Sequence, residues 1–371
     1  MPQDEGVAGG FHVGRVSTAA ELEAVQRLRY DVYVEEMGRY RSIADHTNRR
    51  LREPEDDHSW VFFARDGDRI VGTTRLTWGG DGFSDRQVEH YRIRPFLDEV
   101  PAERIAVGER GMVLPEYRGT GLYEALMAAS EQPIADHDVR LIFGACEPHL
   151  LWAYIAMGQR PYADRNISSD EAGYLIPLVT FPGELDDLRG IGFTATDDHG
   201  EPVLPPCIER VVAGTGSVVN TIVRSPDDYW RDLRETLFAL DQELSIFDGL
   251  SDDEIERCLS HSNVIETTAG DRVLKKGGVA RNMFVVLDGT LEVRDGERVV
   301  GVLAKGDAFG EMAFLLERPR AFDVYAATAR TRVLSMSDGE LRKMIADDAV
   351  VAAKVLHNLA KVLCLRLIKA T

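Results

Sequence analysis

Apolar residues recur at helical spacing near the start of the chain. Thr18 and Glu21 stand at the spacing of a capping box, in which each side chain bonds the other residue's backbone N–H. The apolar residues that follow fall on one face of the helix that this box would begin: Leu22, Val25, Leu28 and Val32. The pattern therefore predicts an amphipathic helix that packs on another layer.

The pattern then changes to strands. The run HSWVFFARDGDRIVGTTRLTW predicts a hairpin that turns at Asp66-Gly67, and a further strand is expected near 109–114. PEYRGTGLYEALMAASEQ predicts a glycine-containing turn and a helix. The strand RLIFGAC, the helix EPHLLWAYIAMG and the strand GYLIPLVTF follow. After a flexible N-terminus over 1–10, we expect an α+β domain with a mixed sheet and helices over 11–182.

The sequence pattern of residues 183–240 predicts a connecting segment. Pro182-Gly183 marks its start, and ERVVAGTGSVVNTIV predicts extra strand structure. A linker helix is expected from Ser225, a capping residue, with Pro226 in the first helical position.

The last part, 241–371, begins with short β runs separated by glycines, from AGDRVLKKGG to TRVLSMS. This regular spacing of short strands and glycines predicts a small β jelly-roll, and the chain then continues as one or two trailing helices. The trailing helices carry an apolar stripe that consists of Val351, Val355, Leu359 and Val362. This stripe belongs either to the core or to a seam through which two copies pair as a homodimer.

Composition narrows the class of protein. The 371 residues exceed one ordinary core, which agrees with two domains. The 62 acidic and 43 basic side chains leave a net charge of -19, which argues against a nucleic-acid partner. The 4 cysteines show neither metal-ligand nor disulfide-framework spacing, so we expect no metal site. With neither a secretory signal nor a membrane-length apolar run in the sequence, we expect a cytoplasmic protein.

The turn Arg118-Gly119-Thr120-Gly121 is a candidate anion site. Glycines let the backbone approach a diphosphate, and the first N–H groups of the following helix favour negative charge; the alternative is an ordinary tight turn. The segment resembles the acyl-CoA-binding motif of the GNAT acyltransferase superfamily, R-x-x-G-x-G/A, although Tyr123 occupies the final small position. The resemblance implies that an acyl donor lies along Val113, Leu114 and this turn.

A second segment, LLWAYIAMGQRPY, is similar to a later motif of the same superfamily. The resemblance implies that Tyr154 protonates the departing thiolate, whereas the alternative is a tyrosine that only packs. No nucleophile elbow is present in the sequence, so direct transfer to the amine is expected rather than an acyl-enzyme.

Charged positions resemble the pattern of acyl-homoserine-lactone synthases and long-chain N-acyl amino acid synthases. They lie in LRYDVYVEEMGR, EDDH, Gly72-x-x-Arg75-Leu76 and Glu109-Arg110. The resemblance implies that an acceptor pocket is shaped by Arg29, Asp56, Asp57, Arg75 and Arg110. The alternative is a solvated salt-bridge cluster. Glu109 is a candidate base acting through water, and Asp56, Asp57 and His58 compete for that role.

Near the end of the chain, FGEMAFLLERPRA resembles the phosphate-binding cassette of cyclic nucleotide-binding domains. The resemblance implies that Glu311 accepts from the ribose hydroxyl and that Arg320 neutralises the cyclic phosphate. The cradle is completed by Gly310, Met312, Ala313 and Ala321. Ala321 favours cAMP. Phe322 and Asp323 depart from the family pattern, and the alternative is a ligand-free regulatory or dimerisation module.

Together these features predict an N-acyltransferase that moves an acyl group from acyl-CoA or acyl carrier protein to an amine. The acceptor is a small molecule or a protein lysine, and the C-terminal domain regulates transfer through cAMP. Two alternatives stay open: a non-catalytic acyl or cAMP sensor or regulatory interaction protein, and a cAMP-controlled protein lysine acetyltransferase.

Overall fold

The computed structural model describes residues 6–8, 11–147, 150–163, 167–169, 173–213, 246–259, 263–278, 281–316 and 318–370. The chain divides into two compact units. The first comprises Met1–Cys146, Met157–Ala163 and Pro177–Thr215. The second comprises Glu147–Ala156, Asp164–Ile176 and Gly216–Thr371.

A nine-stranded mixed sheet has the order β1-β2-β3-β4-β5-β6-β9-β7, with β8 paired to β9. The strands are β1 Gly6–Ala8, β2 Phe11–Arg15, β3 Trp60–Asp66, β4 Arg69–Trp78, β5 Ile105–Val113, β6 Leu141–Cys146, β7 Arg160–Pro161, β8 Ile167–Ser169 and β9 Gly173–Thr180. Neighbours from β1 to β5 are antiparallel, and β5 is parallel to β6. The predicted mixed sheet is confirmed. Gly6–Ala8 is a strand, although the sequence predicts a flexible N-terminus there.

The helices of the first unit are α1 Ala19–Arg29, α2 Asp85–His90, α3 Arg94–Leu97, α4 Leu122–Ala128, α5 Glu131–Asp136 and α7 Pro206–Val212. The helix α6 Leu151–Ala156 belongs to the second unit. A π-helix, Tyr30–Glu36, directly continues α1. Short 3₁₀ turns lie at Pro54–Asp57, Ala102–Arg104, Pro115–Tyr117 and Leu185–Leu188.

The predicted capping box begins α1. Thr18 Oγ1 accepts from the Glu21 N–H at 3.2 Å, and Glu21 accepts from the Thr18 N–H at 2.9 Å. Val25 of α1 packs with Val61 and Phe63 of β3. Neighbouring Phe62 faces the opposite way and joins the core that contains Leu126 of α4. Because β3 is buried on both faces, its sequence reads as a continuous apolar run.

The first residues of one predicted strand are helical. The run ERVVAGTGSVVNTIV predicts extra strand structure, but its first residues end α7. Pro206 occupies the first turn of α7, where a fixed φ and a missing N–H favour helix over strand. The rest of that run, and the linker helix expected from Ser225, lie outside the described residues.

The nucleotide-binding-like part of the second unit is a β-sandwich with trailing helices, as predicted. Its strands are β10 Asn263–Thr267, β11 Arg272–Leu274, β12 Asn282–Asp288, β13 Leu291–Asp295, β14 Arg298–Leu303, β15 Ala308–Phe309, β16 Asp323–Ala326 and β17 Thr331–Ser337. They form two four-stranded sheets, β10-β17-β12-β15 and β11-β16-β13-β14. The helices are α8 Asp252–Leu259, α9 Glu311–Leu316, α10 Asp338–Asp347 and α11 Ala349–Ala370.

The apolar stripe of α11 belongs to the core of this second unit. Val351, Val355 and Leu359 are buried against strand residues such as Leu334, and Val362 packs beside them. The pairing of two copies through this helix stays a prediction, and it would have to use another face. No helix in the described ranges is both long and apolar enough to cross a membrane.

Candidate active site and nucleotide cassette

A bulge interrupts β5 beside the predicted acceptor residues. Arg75 of β4 pairs with Glu109, and Thr73 pairs with Met112, so Thr74 alone opposes Arg110 and Gly111. Arg110 has a φ of 58°, a left-handed conformation that costs free energy for a residue with a side chain. In the described pairing, β5 meets β6 only from Ile105–Val107 to Leu141–Phe143. Beyond Gly108, whose carbonyl still lies close to Gly144 of β6, the described pairing leaves a backbone edge of β5 that can bind an extended ligand.

Glu109 is the centre of a buried charge cluster. Its Oε1 accepts from Arg86 at 3.0 Å and from the Tyr91 hydroxyl at 3.1 Å. Its Oε2 accepts from Arg75 at 2.9 Å and from the Gln87 amide at 2.8 Å. Burial by itself would raise the pKa of Glu109, but the surrounding arginines hold it well below its usual range.

The role of Glu109 as a base stays a prediction, and this geometry does not favour it. Four donors occupy its acceptor positions, and the lowered pKa makes protonation unfavourable. In this structure the Glu109 carboxylate holds those four donors in place.

Asp56 and Glu53 extend the cluster. Asp56 Oδ1 lies 2.6 Å from Arg29 Nη1 and 2.9 Å from Arg75 Nη1. Glu53 pairs with Arg75 at 3.1 Å and with Arg110. Since the Arg29 and Arg75 side chains are 0% exposed, the alternative of a solvated salt-bridge cluster is wrong for these residues.

The structure does not place Asp57 in the cluster, which corrects its expected position beside the other predicted acceptor residues. Its carboxylate points to solvent and pairs with exposed Arg52 at 2.9 Å. His58, the residue after it, is also exposed. The 3₁₀ turn Pro54–Asp57 explains the difference, since it buries Glu55 and Asp56 and leaves Asp57 outside.

Sequence reasoning missed several members of the cluster: Tyr40, Glu53, Glu55, Arg86, Gln87 and Tyr91. One local signal was available. Ser84 and Gln87 form a capping box that begins α2, the helix that delivers Arg86 and Gln87 to Glu109. His90, at the end of α2, is neutral near pH 7, because burial and the charge of Arg86 lower its pKa to about 4. The low pKa also makes this imidazole a weak proton acceptor.

The predicted glycine turn precedes α4. Gly121 caps α4 with a φ of 80°, and Gly119 has a φ of 76°, conformations that glycine adopts readily. Arg118 pairs with Glu36 at 3.0 Å. The Tyr123 ring covers Gly111, where an added Cβ would lie 2.9 Å from the ring. Leu114 is buried, and its N–H bonds Val71.

Tyr154 lies on α6, whose residues belong to the second unit, and it is partly exposed. The structure thus does not group Tyr154 with the charge cluster of the first unit. Its role as the acid stays a prediction.

The cassette arginine is held by backbone carbonyls. Arg320 Nη1 donates to the Gly310 carbonyl at 2.7 Å, and Nη2 donates to the Asn282 carbonyl at 2.6 Å and to Asn282 Oδ1 at 2.7 Å. No atom of the described chain accepts from the buried Arg320 Nε. Burial lowers the pKa of Arg320 to about 10. The guanidinium stays cationic at pH 7 and keeps one donor for an anion.

The other cassette residues lie on α9, on the loop that follows it and at the start of β16. Glu311 begins α9, Met312 is exposed and Ala313 is buried, while Ala321 is partly buried. Asp323 accepts from the Lys276 N–H at 3.1 Å and lies 3.8 Å from Arg272, so its charge is offset. Phe322 is 39% exposed.

Two protein families match separate parts of the chain. Residues 24–173 match the N-acyl amino acid synthase FeeM family, and residues 264–348 match the cyclic nucleotide-binding domain. An L-ornithine N(alpha)-acyltransferase of Rhodobacter capsulatus is 31% identical over 154 residues, which are 38% of this chain and 57% of that protein. A cAMP-dependent protein kinase regulatory subunit of Mycosarcoma maydis is 34% identical over 111 residues, which are 28% of this chain and 21% of that protein.

Among solved structures, a CoA-dependent acyl-homoserine lactone synthase is similar with 20% identity and a TM-score of 0.40, over 48% of this chain and 86% of that one. The chain spans only part of the curated relatives named above. The matches confirm the two resemblances, in the order acyltransferase-like and then nucleotide-binding.

Proposed function

We propose that this protein is a GNAT-type N-acyltransferase that transfers an acyl group from acyl-CoA or acyl carrier protein to a small amine. Its C-terminal domain binds a cyclic nucleotide, with cAMP favoured, and thereby regulates transfer. The protein acts in the cytoplasm, and a homodimer through the C-terminal helix is part of the proposal.

One observation carries the catalytic part. The buried cluster around Glu109 lies on β4 and β5 where β5 bulges at Arg110-Gly111, beside a stretch of backbone edge that β6 leaves unpaired among the described residues. Backbone N–H groups on such an edge can polarise a thioester carbonyl. The charge cluster then keeps the side chains of the acceptor pocket in fixed positions, so that the amine is held in one orientation.

The chemistry requires three proton and bond changes. The amine nitrogen attacks the thioester carbon, the C–N bond forms as the C–S bond breaks, and the amine loses a proton. The departing thiolate gains one. In this proposal Tyr154 supplies the proton to sulfur. The proton from nitrogen passes to water, because the lowered pKa values of both Glu109 and His90 make each of them a weak base.

Regulation follows from linkage. If cAMP binds one arrangement of the second unit more tightly, it shifts the protein toward that arrangement by the ratio of the two affinities. The unmatched donor on buried Arg320 supports an anion as the ligand.

The test is thiol release and amide formation with acyl-CoA or acyl carrier protein, over a panel of amines that includes a lysine peptide, with and without cAMP. Gly121→Asp should abolish turnover by CoA thioesters, because it adds a side chain and a negative charge at a left-handed position. Glu209→Asp, at an exposed position of α7, is the control. Absence of amide with every donor and amine contradicts the enzymatic proposal. Equal rates with and without cAMP contradict the regulatory one.

A second candidate, a non-catalytic acyl sensor, is favoured by one feature. Tyr123 fills the space over Gly111, and Glu36 places a carboxylate 3.0 Å from Arg118 at the predicted donor seat. Both oppose close approach of a diphosphate. Calorimetric binding of acyl-CoA without turnover would select this candidate.

A further inference from the structure

A hairpin from the acyltransferase-like part of the sequence belongs to the unit that carries the nucleotide cassette. β8 and β9 pair as antiparallel neighbours, with Ile167 opposite Leu175. The segment Asp164–Ile176, which holds this hairpin, is part of the second unit, and β8 lies beside β11 of the sandwich. All of β8 nevertheless falls within residues 24–173, the stretch that matches the N-acyl amino acid synthase family.

Tyr174 anchors this hairpin in the sandwich. Its side chain is 3% exposed and belongs to one apolar cluster with Val273, Phe284 and Val324. Its hydroxyl donates to the backbone carbonyl of Glu266 on β10. Moving this tyrosine would expose an aromatic ring and break a hydrogen bond, both of which cost free energy. The position of β9 at Tyr174 is therefore tied to the arrangement of the sandwich.

The cassette arginine lies next to the same structure. The Arg320 guanidinium is 5.9 Å from the ring centre of Phe284, a member of the cluster that contains Tyr174. The Arg320 N–H donates to the Gly278 carbonyl at 2.8 Å, and its carbonyl accepts from the Gly277 N–H at 2.8 Å. These glycines follow β11, the strand beside β8. A change in the position of Arg320 can thus act on the hairpin through Phe284 and through β11.

A second segment of the acyltransferase-like part is linked to the same arginine. Glu147 belongs to the second unit, and its negative charge raises the pKa of Arg320 in opposition to burial. An anion bound at Arg320 would repel this carboxylate. Tyr154, the predicted acid, lies in the same segment, Glu147–Ala156.

We propose that the β8–β9 hairpin, anchored by Tyr174, carries the effect of a bound cyclic nucleotide to the acyl-transfer site. This rests on the proposed function and names the route of its regulation. Tyr174 is a positioning residue in this scheme, because it acts through the backbone of β9 rather than on the reacting atoms.

The course of β9 supports this route. The strand runs without interruption over Gly173–Thr180, but it belongs to the second unit up to Ile176 and to the first unit from Pro177 onward. In the first unit Leu178 pairs with Pro161 on β7, and both Leu178 and Val179 are fully buried. Close-packed residues of one strand cannot shift independently of each other, so a displacement at Tyr174 is passed along the strand.

The test follows amide hydrogen exchange of β9 in the full-length protein, with and without saturating cAMP. We expect cAMP to change the exchange rates of residues 175–180 by at least about fivefold, the lower end of typical coupling between two sites. Tyr174→Phe keeps the ring and removes the bond to the Glu266 carbonyl, so it should reduce this change by roughly 2- to 10-fold.

Tyr162→Phe is the matched control. Tyr162 is also buried and also donates its hydroxyl to a backbone carbonyl, that of Tyr91, but it belongs to the first unit. This variant should keep the full effect of cAMP on β9. The heat of cAMP binding and the urea midpoint verify that Tyr174→Phe is folded and binds the nucleotide. If that variant loses the heat, the exchange of the wild type alone decides.

The outcomes separate this inference from the broader proposal. Exchange changes confined to residues 263–337, or a wild type that binds no cAMP, would overturn the route. Acyl transfer that ignores cAMP while β9 responds would also overturn it and leave the N-acyltransferase standing. A cAMP response in β9 that Tyr174→Phe weakens, without acylation of any amine, supports the route and contradicts the enzymatic proposal. Where amines are acylated, Tyr174→Phe should bring the ratio of rates with and without cAMP closer to one.

Discussion

Arg75 and Glu109 stand directly opposite each other on β4 and β5, and their side chains join at 2.9 Å with no exposure to solvent on the arginine. Cross-strand register thus places an ion pair inside the sheet domain. Removing one member of such a pair leaves a buried charge without compensation, which is more costly than the pair is stabilising.

Arg75→Met should therefore destabilise the protein strongly. Glu53, Asp56 and Glu109 would all lose a partner, and we expect a loss of about 3–5 kcal/mol in the free energy of unfolding. Urea denaturation followed by tryptophan fluorescence measures it. Arg69→Met is the matched control on the same strand, because Arg69 is exposed and pairs with exposed Glu116, which limits its effect to about 1 kcal/mol. Similar losses for both variants would contradict the buried-cluster account.

Stability should fall in acid through Glu109. Its pKa is lowered in the folded state, so the unfolded chain takes up the proton first. The stabilisation is complete above the unfolded pKa of about 4.3 and is lost as pH falls below it. We expect the urea midpoint of the wild type to drop between about pH 5 and pH 3. Glu109→Gln should show a shallower slope, although it is less stable at pH 7. An unchanged slope would place the acid sensitivity elsewhere.

The loss of stability caused by Gly111→Ala should depend on the side chain of Tyr123. The new Cβ would lie 2.9 Å from the Tyr123 ring, which must move, at a cost of about 1–3 kcal/mol. In a double-mutant cycle with Tyr123→Ala, the combined loss should be smaller than the sum of the single losses by at least about 0.5 kcal/mol. Gly108→Ala on the same strand is the control, since its Cβ meets atoms at an ordinary 3.7 Å. Strict additivity of Gly111→Ala and Tyr123→Ala would show that the ring does not occupy this space.

The sequence predicted what depends on local rules. The Thr18 capping box, the Asp66-Gly67 turn and the two strands that flank this turn follow from residue type and spacing, and all are found. Charge clusters depend on which residues meet across strands. Arg29, Arg75 and Arg110 came from family resemblance, while Arg86 and Gln87 reach Glu109 from a helix 22 or more residues away in sequence. Asp57 was misplaced because one 3₁₀ turn decides which carboxylate points inward.

The nucleotide cassette depends on a glycine that holds an arginine in place. Gly310 has a φ of 80°, and an added Cβ would lie 2.6 Å from Arg320 Nη1 and 3.1 Å from the Asn282 carbonyl, so an alanine there must displace the guanidinium. Gly310→Ala should weaken cAMP binding, measured by calorimetry, by at least about tenfold, the equivalent of about 1.4 kcal/mol. Gly296→Ala is the control, because its φ of 60° gives similar backbone strain and its Cβ would meet no atom within 4 Å.

Both glycine variants should lose about 1–2 kcal/mol of stability from the left-handed backbone, whereas only Gly310→Ala should lose affinity. Equal cAMP affinity in the two variants would mean that the Arg320 position does not control the ligand. A wild-type protein that gives no heat with cAMP would mean that Arg320, held by Gly310 and Asn282, serves the fold of the second unit rather than a nucleotide.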